Sequence, residues 1–121
     1  MNDTVKPSTD SFIPLNARVY AILLALVDGP AHGYRIKSDA EGRSGGRLQL
    51  DPGSLYRIIA RLVRDGLIVE GAAPRHADSD DARRRYYRLT PLGKKVTRAE
   101  TQRLADLLVT PQALRTLARE N

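Results

Sequence analysis

Three arginines share one face of a short segment, with no acid between them. In Pro52–Arg64 the apolar residues Leu55, Ile58, Ile59 and Leu62 recur at i, i+3, i+4 and i+7, the spacing of one buried helical stripe. A helix then sets Arg57, Ala60, Arg61 and Arg64 on the opposite side, with Ser54 and Tyr56 flanking the stripe near the N-terminal end. Long cationic donors on the outer turns of a helix are what a major-groove reader needs. A guanidinium pairs with two acceptors on a guanine edge, and the first turns come closest to the bases. A solvated basic face has the same composition, so the surrounding elements must decide between the two readings.

A second basic run follows. Arg83-Arg84-Arg85-Tyr86-Tyr87-Arg88 packs four arginines around two tyrosines. Read as a strand from Arg83 to Leu89, alternation puts Tyr87 and Leu89 on one face and Arg84, Tyr86 and Arg88 on the other. Such a strand suits a wing that lies along the DNA backbone or dips into the minor groove. Asp78, Asp80 and Asp81 precede it. Part of the arginine charge is expected to pair with them. An acidic tip repels phosphate, so it either points away from DNA or acts as a latch on the arginines when DNA is absent. His32-Gly33-Tyr34 opens another helix, whose free amides suit a phosphate. Tyr34 either adds its hydroxyl there or packs over the turn.

Other chemistry finds little support. His32 and His76 are far apart, and no HExxH-like spacing or carboxylate pair stands out. His76 with Asp78, Asp80 and Asp81 reads as a solvated loop rather than a cation site. The absence of cysteine excludes disulfides, thiol catalysis and cysteine-bound zinc. No enzyme, cofactor or metal site is expected. The 20 Lys and Arg against 14 Asp and Glu leave a net charge of +6, which suits a polyanionic partner. The longest apolar run, Ala21–Val27, is too short to span a bilayer. Met1–Pro14 lacks the apolar segment of a signal peptide. A cytoplasmic protein with no membrane partner is expected.

The elements that must hold these residues are legible in outline. Residues 1–14 read as a flexible tail. Leu15–Val27 reads as a helix with two apolar stripes, one of Leu15, Val19, Ile22, Leu23 and Leu26, the other of Tyr20, Leu24 and Val27. Asp28-Gly29-Pro30 ends it. A second helix runs over His32–Arg43 with a thin apolar face of Gly33, Ile36 and Ala40, and Arg47–Leu50 alternates like a very short strand. Asp51-Pro52 starts the arginine helix and Asp65-Gly66 stops it. Leu67–Val69 and Arg83–Leu89 form a hairpin around the loop 71–82. Thr90-Pro91 starts a long helix to about Val109, and Thr110-Pro111 a last short one.

This order predicts a mainly α fold with a small β-hairpin (α+β). Residues 15–90 form a winged helix-turn-helix and residues 91–121 a dimerisation helix with a short terminal helix. The long helix carries Leu92, Val96, Ala99, Leu104, Leu107 and Leu108, more apolar surface than so small a domain covers alone. A homodimer burying that row together with Tyr20, Leu24 and Val27 is expected.

Several blocks resemble PadR-type transcriptional regulators: Ala21-Ile22-Leu23-Leu24-Ala25-Leu26, Gly29-Pro30, His32-Gly33-Tyr34, Pro52-Gly53-Ser54-Leu55-Tyr56, Leu62 with Asp65-Gly66-Leu67-Ile68, and Arg85-Tyr86-Tyr87-Arg88-Leu89-Thr90-Pro91-Leu92-Gly93. They occur in family order over about 15–108. The resemblance implies a winged helix-turn-helix, a homodimer built by the C-terminal helix, and usually repression of nearby genes. The single long C-terminal helix resembles the short type of the family. Some short-type members hold flat aromatic drugs between interface tryptophans; this chain has no Trp, so that mode does not carry over. The expected function is a sequence-specific regulator of double-stranded DNA, a repressor acting as a homodimer on an inverted repeat. The alternatives are a regulator sensing a small-molecule effector at the dimer interface, and a winged helix used for protein or RNA contacts.

Overall fold

Helix starts follow the capping residues. The computed structural model describes residues 8–78 and 81–118. Asn16 caps α1 (Ala17–Leu24) by accepting from the Val19 amide at 2.9 Å. This helix is shorter than the expected span, because the chain tightens into turns through Asp28. His32 caps α2 (Gly33–Arg43) through Nδ1, which accepts from the Arg35 amide at 3.2 Å. Asp51, Thr90 and Thr110 cap α3 (Pro52–Arg64), α4 (Pro91–Leu108) and α5 (Pro111–Arg115), each with proline in the first turn. Gly66 ends α3 with φ of 79°, the left-handed conformation its lack of a Cβ permits.

The sheet corrects the expected two-stranded hairpin. β1 (Ala31–His32), β2 (Ile68–Gly71) and β3 (Tyr86–Leu89) form an antiparallel sheet in the order β1-β3-β2. Ile68 faces Leu89 and Gly71 faces Tyr86 on one side of β3; Ala31 and His32 pair with Tyr87 and Tyr86 on the other. The return strand begins at Tyr86, not Arg83. Asp81–Arg83 is a 3-10 turn and Arg84 a bend, so Arg84 and Arg88 do not share a strand face. Simple alternation also fails for Tyr86: both it and Tyr87 are buried, at 6% and 5% exposure. The His32 ring brought in by β1 meets Tyr86 edge-on at 5.4 Å and covers the face expected to be open.

Two further expectations are corrected. Arg47–Leu50 is irregular. Ser44 Oγ accepts from the Leu48 amide at 2.9 Å and the Glu41 carboxylate from the Leu50 amide at 2.8 Å, so side chains take the bonds a strand partner would. Its alternation reflects Leu48 and Leu50 turning toward the core. The tail reading fails for residues 8–14: a 3-10 turn, Thr9–Ser11, leads to Phe12 and Ile13, which pack against the core. Residues 1–7 lie outside the described residues.

The core gathers α1 (Ile22, Leu23), α2 (Ile36, Ala40), α3 (Leu55, Ile59, Leu62), the sheet, and Val96 of α4. Val96 is fully buried within its own chain, so it leaves the row assigned to a dimer face; a residue already at 0% exposure has nothing left to bury. Leu92 is half-buried against the same core. One turn on, buried Glu100 receives two bonds from Arg103, at 2.7 and 2.8 Å, and one from the Leu15 amide at 3.2 Å. The Arg103 bonds hold its carboxyl below the usual range, and the pair ties the start of the fold to α4.

Candidate nucleic-acid interface

α3 separates its two faces cleanly. Leu55, Ile59 and Leu62 are buried and Ile58 half-buried, while Arg57, Ala60, Arg61 and Arg64 are exposed on the other side. Acids stand only at the ends. Arg57 Nη2 donates to Ser54 Oγ at 3.2 Å, and that hydroxyl donates to the Asp51 carboxylate at 2.8 Å. Arg61 lies 3.9 Å from Asp65, an exposed i,i+4 pair. These contacts are weak and solvated, so the guanidiniums remain able to exchange them for phosphate or base acceptors.

Tyr34, at 67% exposure, and Tyr56, at 51%, are held differently. Tyr56 lies over the start of α2: a Cβ placed on Gly33 would come within 2.5 Å of its hydroxyl. A side chain at position 33 would push the Tyr56 ring off the start of α2. Tyr34 projects outward, stacks on His32 with ring centres 6.5 Å apart, and has the Arg84 guanidinium 5.7 Å from its ring centre. His32, Tyr34, Tyr56, Arg84, Arg85 and Tyr87 line one shallow cleft of about 210 Å³. It brings together Tyr34, Tyr56, Arg84 and Arg85 from three separate elements. Arg85, just before β3, lies 3.9 Å from Glu70 of β2, whose own register partner is Tyr87. Arg88 stands on the exposed side of β3 beside Gly71, where a Cβ would come within 2.5 Å of its guanidinium.

His32 and Arg35 were not picked out as binding residues by sequence reasoning. His32 caps α2, meets Tyr34 and Tyr86, and lies 3.7 Å from the Asp81 carboxylate. Burial, with the Arg84 guanidinium beside it, lowers the affinity of its ring for a proton. Nδ1 accepts the cap bond, a role open to it only while that nitrogen carries no proton. The signal lay in the position of His32 immediately before a helix.

On the other side of the molecule a groove of about 690 Å³ runs between the end of α1 and α4. Leu24, Val27, Leu89 and Ala105 give it an apolar floor, and Lys94 and Arg98 stand among its walls. Thr101, which lines it on α4, shares a hydroxyl hydrogen bond of 2.6 Å with Tyr20 of α1. Beyond the groove Leu107, Leu108, Val109, Leu114 and Leu117 are exposed at 54–81%. Ala99 and Leu104 are half-buried. The last two residues of the exposed set, on and after α5, extend the expected row. Asp80 lies outside the described residues. Among the described residues no cluster of acids and histidines suits a metal ion, and no helix is long and apolar enough to cross a membrane.

Three helices, a strand-flanked wing and a following long helix define a winged helix-turn-helix. The chain belongs to the Transcriptional regulator PadR-like family, whose sequence pattern matches residues 10–99. Two relatives carry no assigned role. An "Uncharacterized 37.1 kDa protein in transposon TN4556" from Streptomyces fradiae is 38% identical over 86 residues, 71% of this chain and 22% of that protein. "Uncharacterized protein X" from Lysinibacillus sphaericus is 31% identical over 74 residues, 60% of this chain and 64% of that one. The chain thus spans less than two thirds of either relative. Among solved structures, a PadR family transcription regulator from Clostridium difficile R20291 superposes with a TM-score of 0.62 at 22% identity, covering 77% of this chain and 95% of that one. At that identity the likeness shows the fold.

Proposed function

We propose that this PadR-like regulator is a homodimeric repressor that reads an inverted repeat in double-stranded DNA. α3 enters the major groove with Arg57 and Arg61 toward base edges. Ser54, Tyr56 and Arg64 flank that contact, while Tyr34, Arg84, Arg85 and Arg88 face the backbone. The observation that carries this is the convergence of an acid-free basic helix face with the Tyr34–Arg84 cleft, in a fold whose family consists of transcriptional regulators. The second subunit covers Leu24, Val27, Leu107, Leu108 and Leu114, with Tyr20, Leu92, Ala99 and Leu104 at the edges. The size and apolar floor of the α1–α4 groove favour one further reading, in which a small effector shares that interface.

The test is a duplex titration with single variants. Arg57→Ala or Arg61→Ala weakens binding to the selected operator by about 1–3 kcal/mol if that guanidinium holds a base pair. Thermal unfolding stays close to wild type, because both side chains are exposed. Wild-type operator affinity in both variants would remove α3 as the reader.

A further inference from the structure

The wing carries an acid in contact with the cations proposed to meet DNA. Asp81 sits in the 3-10 turn before β3, and its carboxylate lies 3.4 Å from Arg84 Nε and 3.7 Å from His32 Nε2. Its own amide donates to the Asp78 carboxylate at 2.9 Å, which fixes the turn that presents it. Arg84 is held from three directions: Asp81 at its Nε, His32 Nδ1 at 3.4 Å from Nη1, and the Tyr34 ring at 5.7 Å from the guanidinium carbon. Both partners of the ion pair are partly open to water, at 44% and 38% side-chain exposure. A pair of that kind is weak and exchangeable.

We infer that Asp81 is an intramolecular competitor for DNA phosphate: it neutralises Arg84 in the free protein and must be displaced for the wing to grip a duplex. This rests on the DNA-binding reading above and adds a threshold to it. A carboxylate satisfies the same guanidinium donors that a phosphate oxygen would take. Phosphates of a duplex are supplied in a dense row and release counterions when bound, so a duplex outcompetes one solvated carboxylate, whereas sparse or weak polyanions do not. The latch lowers specific and non-specific grip by the same factor, because the phosphate contact it competes with is made in both complexes.

Four proteins test this: wild type, Asp81→Asn, Arg84→Ala and the double variant. Each is titrated with a labelled random-sequence duplex at two salt concentrations. Asp81→Asn should tighten binding about two- to fivefold, the scale of one exposed ion pair. It should leave the log–log salt slope close to that of wild type, because Arg84 neutralises the same phosphate in both complexes once Asp81 is displaced. In the Arg84→Ala background the same substitution should change affinity by much less. A ring titration of His32 gives a readout independent of DNA. Asp81 favours its protonated form while Arg84 and Arg35 oppose it, with Tyr34, Tyr86, Asp39, His76 and Asp78 the other titratable groups around the ring. Asp81→Asn should therefore lower its midpoint. Equal gains in both backgrounds would make Asp81 a general negative charge and overturn the latch. Unaltered affinity in Asp81→Asn, with duplex binding otherwise intact, would also overturn it. If none of the four proteins binds duplex at low salt, the DNA reading fails and the latch with it.

Discussion

In the proposed dimer, Leu107→Asp combined with Leu114→Asp should leave a folded monomer that no longer holds an operator. Both leucines are more than half exposed in the isolated chain, at 56% and 54%, so folding of the protomer has little to lose. Leu104 is the poorer choice, because its partial burial would mix folding with association. In a symmetric interface each leucine occurs twice. Full burial of a leucine contributes roughly 1.5–3 kcal/mol, and about half of that remains to be gained here, so the four side chains together account for about 3–6 kcal/mol of association. Aspartate at those positions adds the cost of unpaired buried charge. The dimer dissociation constant should rise by about a hundredfold at the least. Because operator affinity combines two half-sites, it falls by a similar or larger factor. Light scattering and a duplex titration read both. A variant that stays dimeric at micromolar concentration places the interface elsewhere.

Gly93→Ala unfolds the junction between wing and α4. The Thr90 hydroxyl donates to the Gly66 carbonyl at 2.6 Å, and the Thr90 amide to the Leu67 carbonyl at 3.0 Å, which draws the start of α4 tightly onto the chain entering β2. A Cβ on Gly93 would overlap the Leu67 carbonyl oxygen, a backbone atom that cannot rotate aside. The helix must lift, breaking those bonds and loosening Val96 from the core. A loss of about 3 kcal/mol or more is expected, roughly 10 °C in thermal midpoint for a chain of this size. Gly42→Ala supplies the contrast. It lies in α2 with open space where its Cβ would stand, so the same substitution there is neutral or stabilising by up to about 1 kcal/mol. A Gly93→Ala midpoint matching wild type would contradict the packing of this junction.

These two positions also mark what the sequence could and could not disclose. Cap-and-proline pairs at Asp51, Thr90 and Thr110 are local chemistry, and the helices begin where they fall. The α3 stripe is equally local, since its period alone separates core from outer face. β1 had no such signal: two residues carry no alternation, and Ala31–His32 is a strand only because β3 lies beside it. Without β1, strand alternation leaves Tyr86 open to solvent, since His32 supplies its cover. Val96 fell into the dimer row because a stripe shows that a helix side is covered without saying by what. The closeness of Gly93 to Leu67 is a tertiary fact that a glycine alone does not announce. Residue type and order point to the binding residues; that Tyr34, Tyr56 and Arg84 share a cleft depends on Tyr56 lying over Gly33 and on Arg84 leaving the strand.

On the proposed function, this chain reads duplex DNA as a symmetric dimer. Selection of random duplexes on the purified wild-type protein, followed by sequencing, addresses it most directly. An inverted repeat should be enriched, with half-site centres about 34–36 Å apart or a multiple of that, bound with an affinity that falls as salt rises. Enrichment of nothing, or of single half-sites without symmetry, would contradict it.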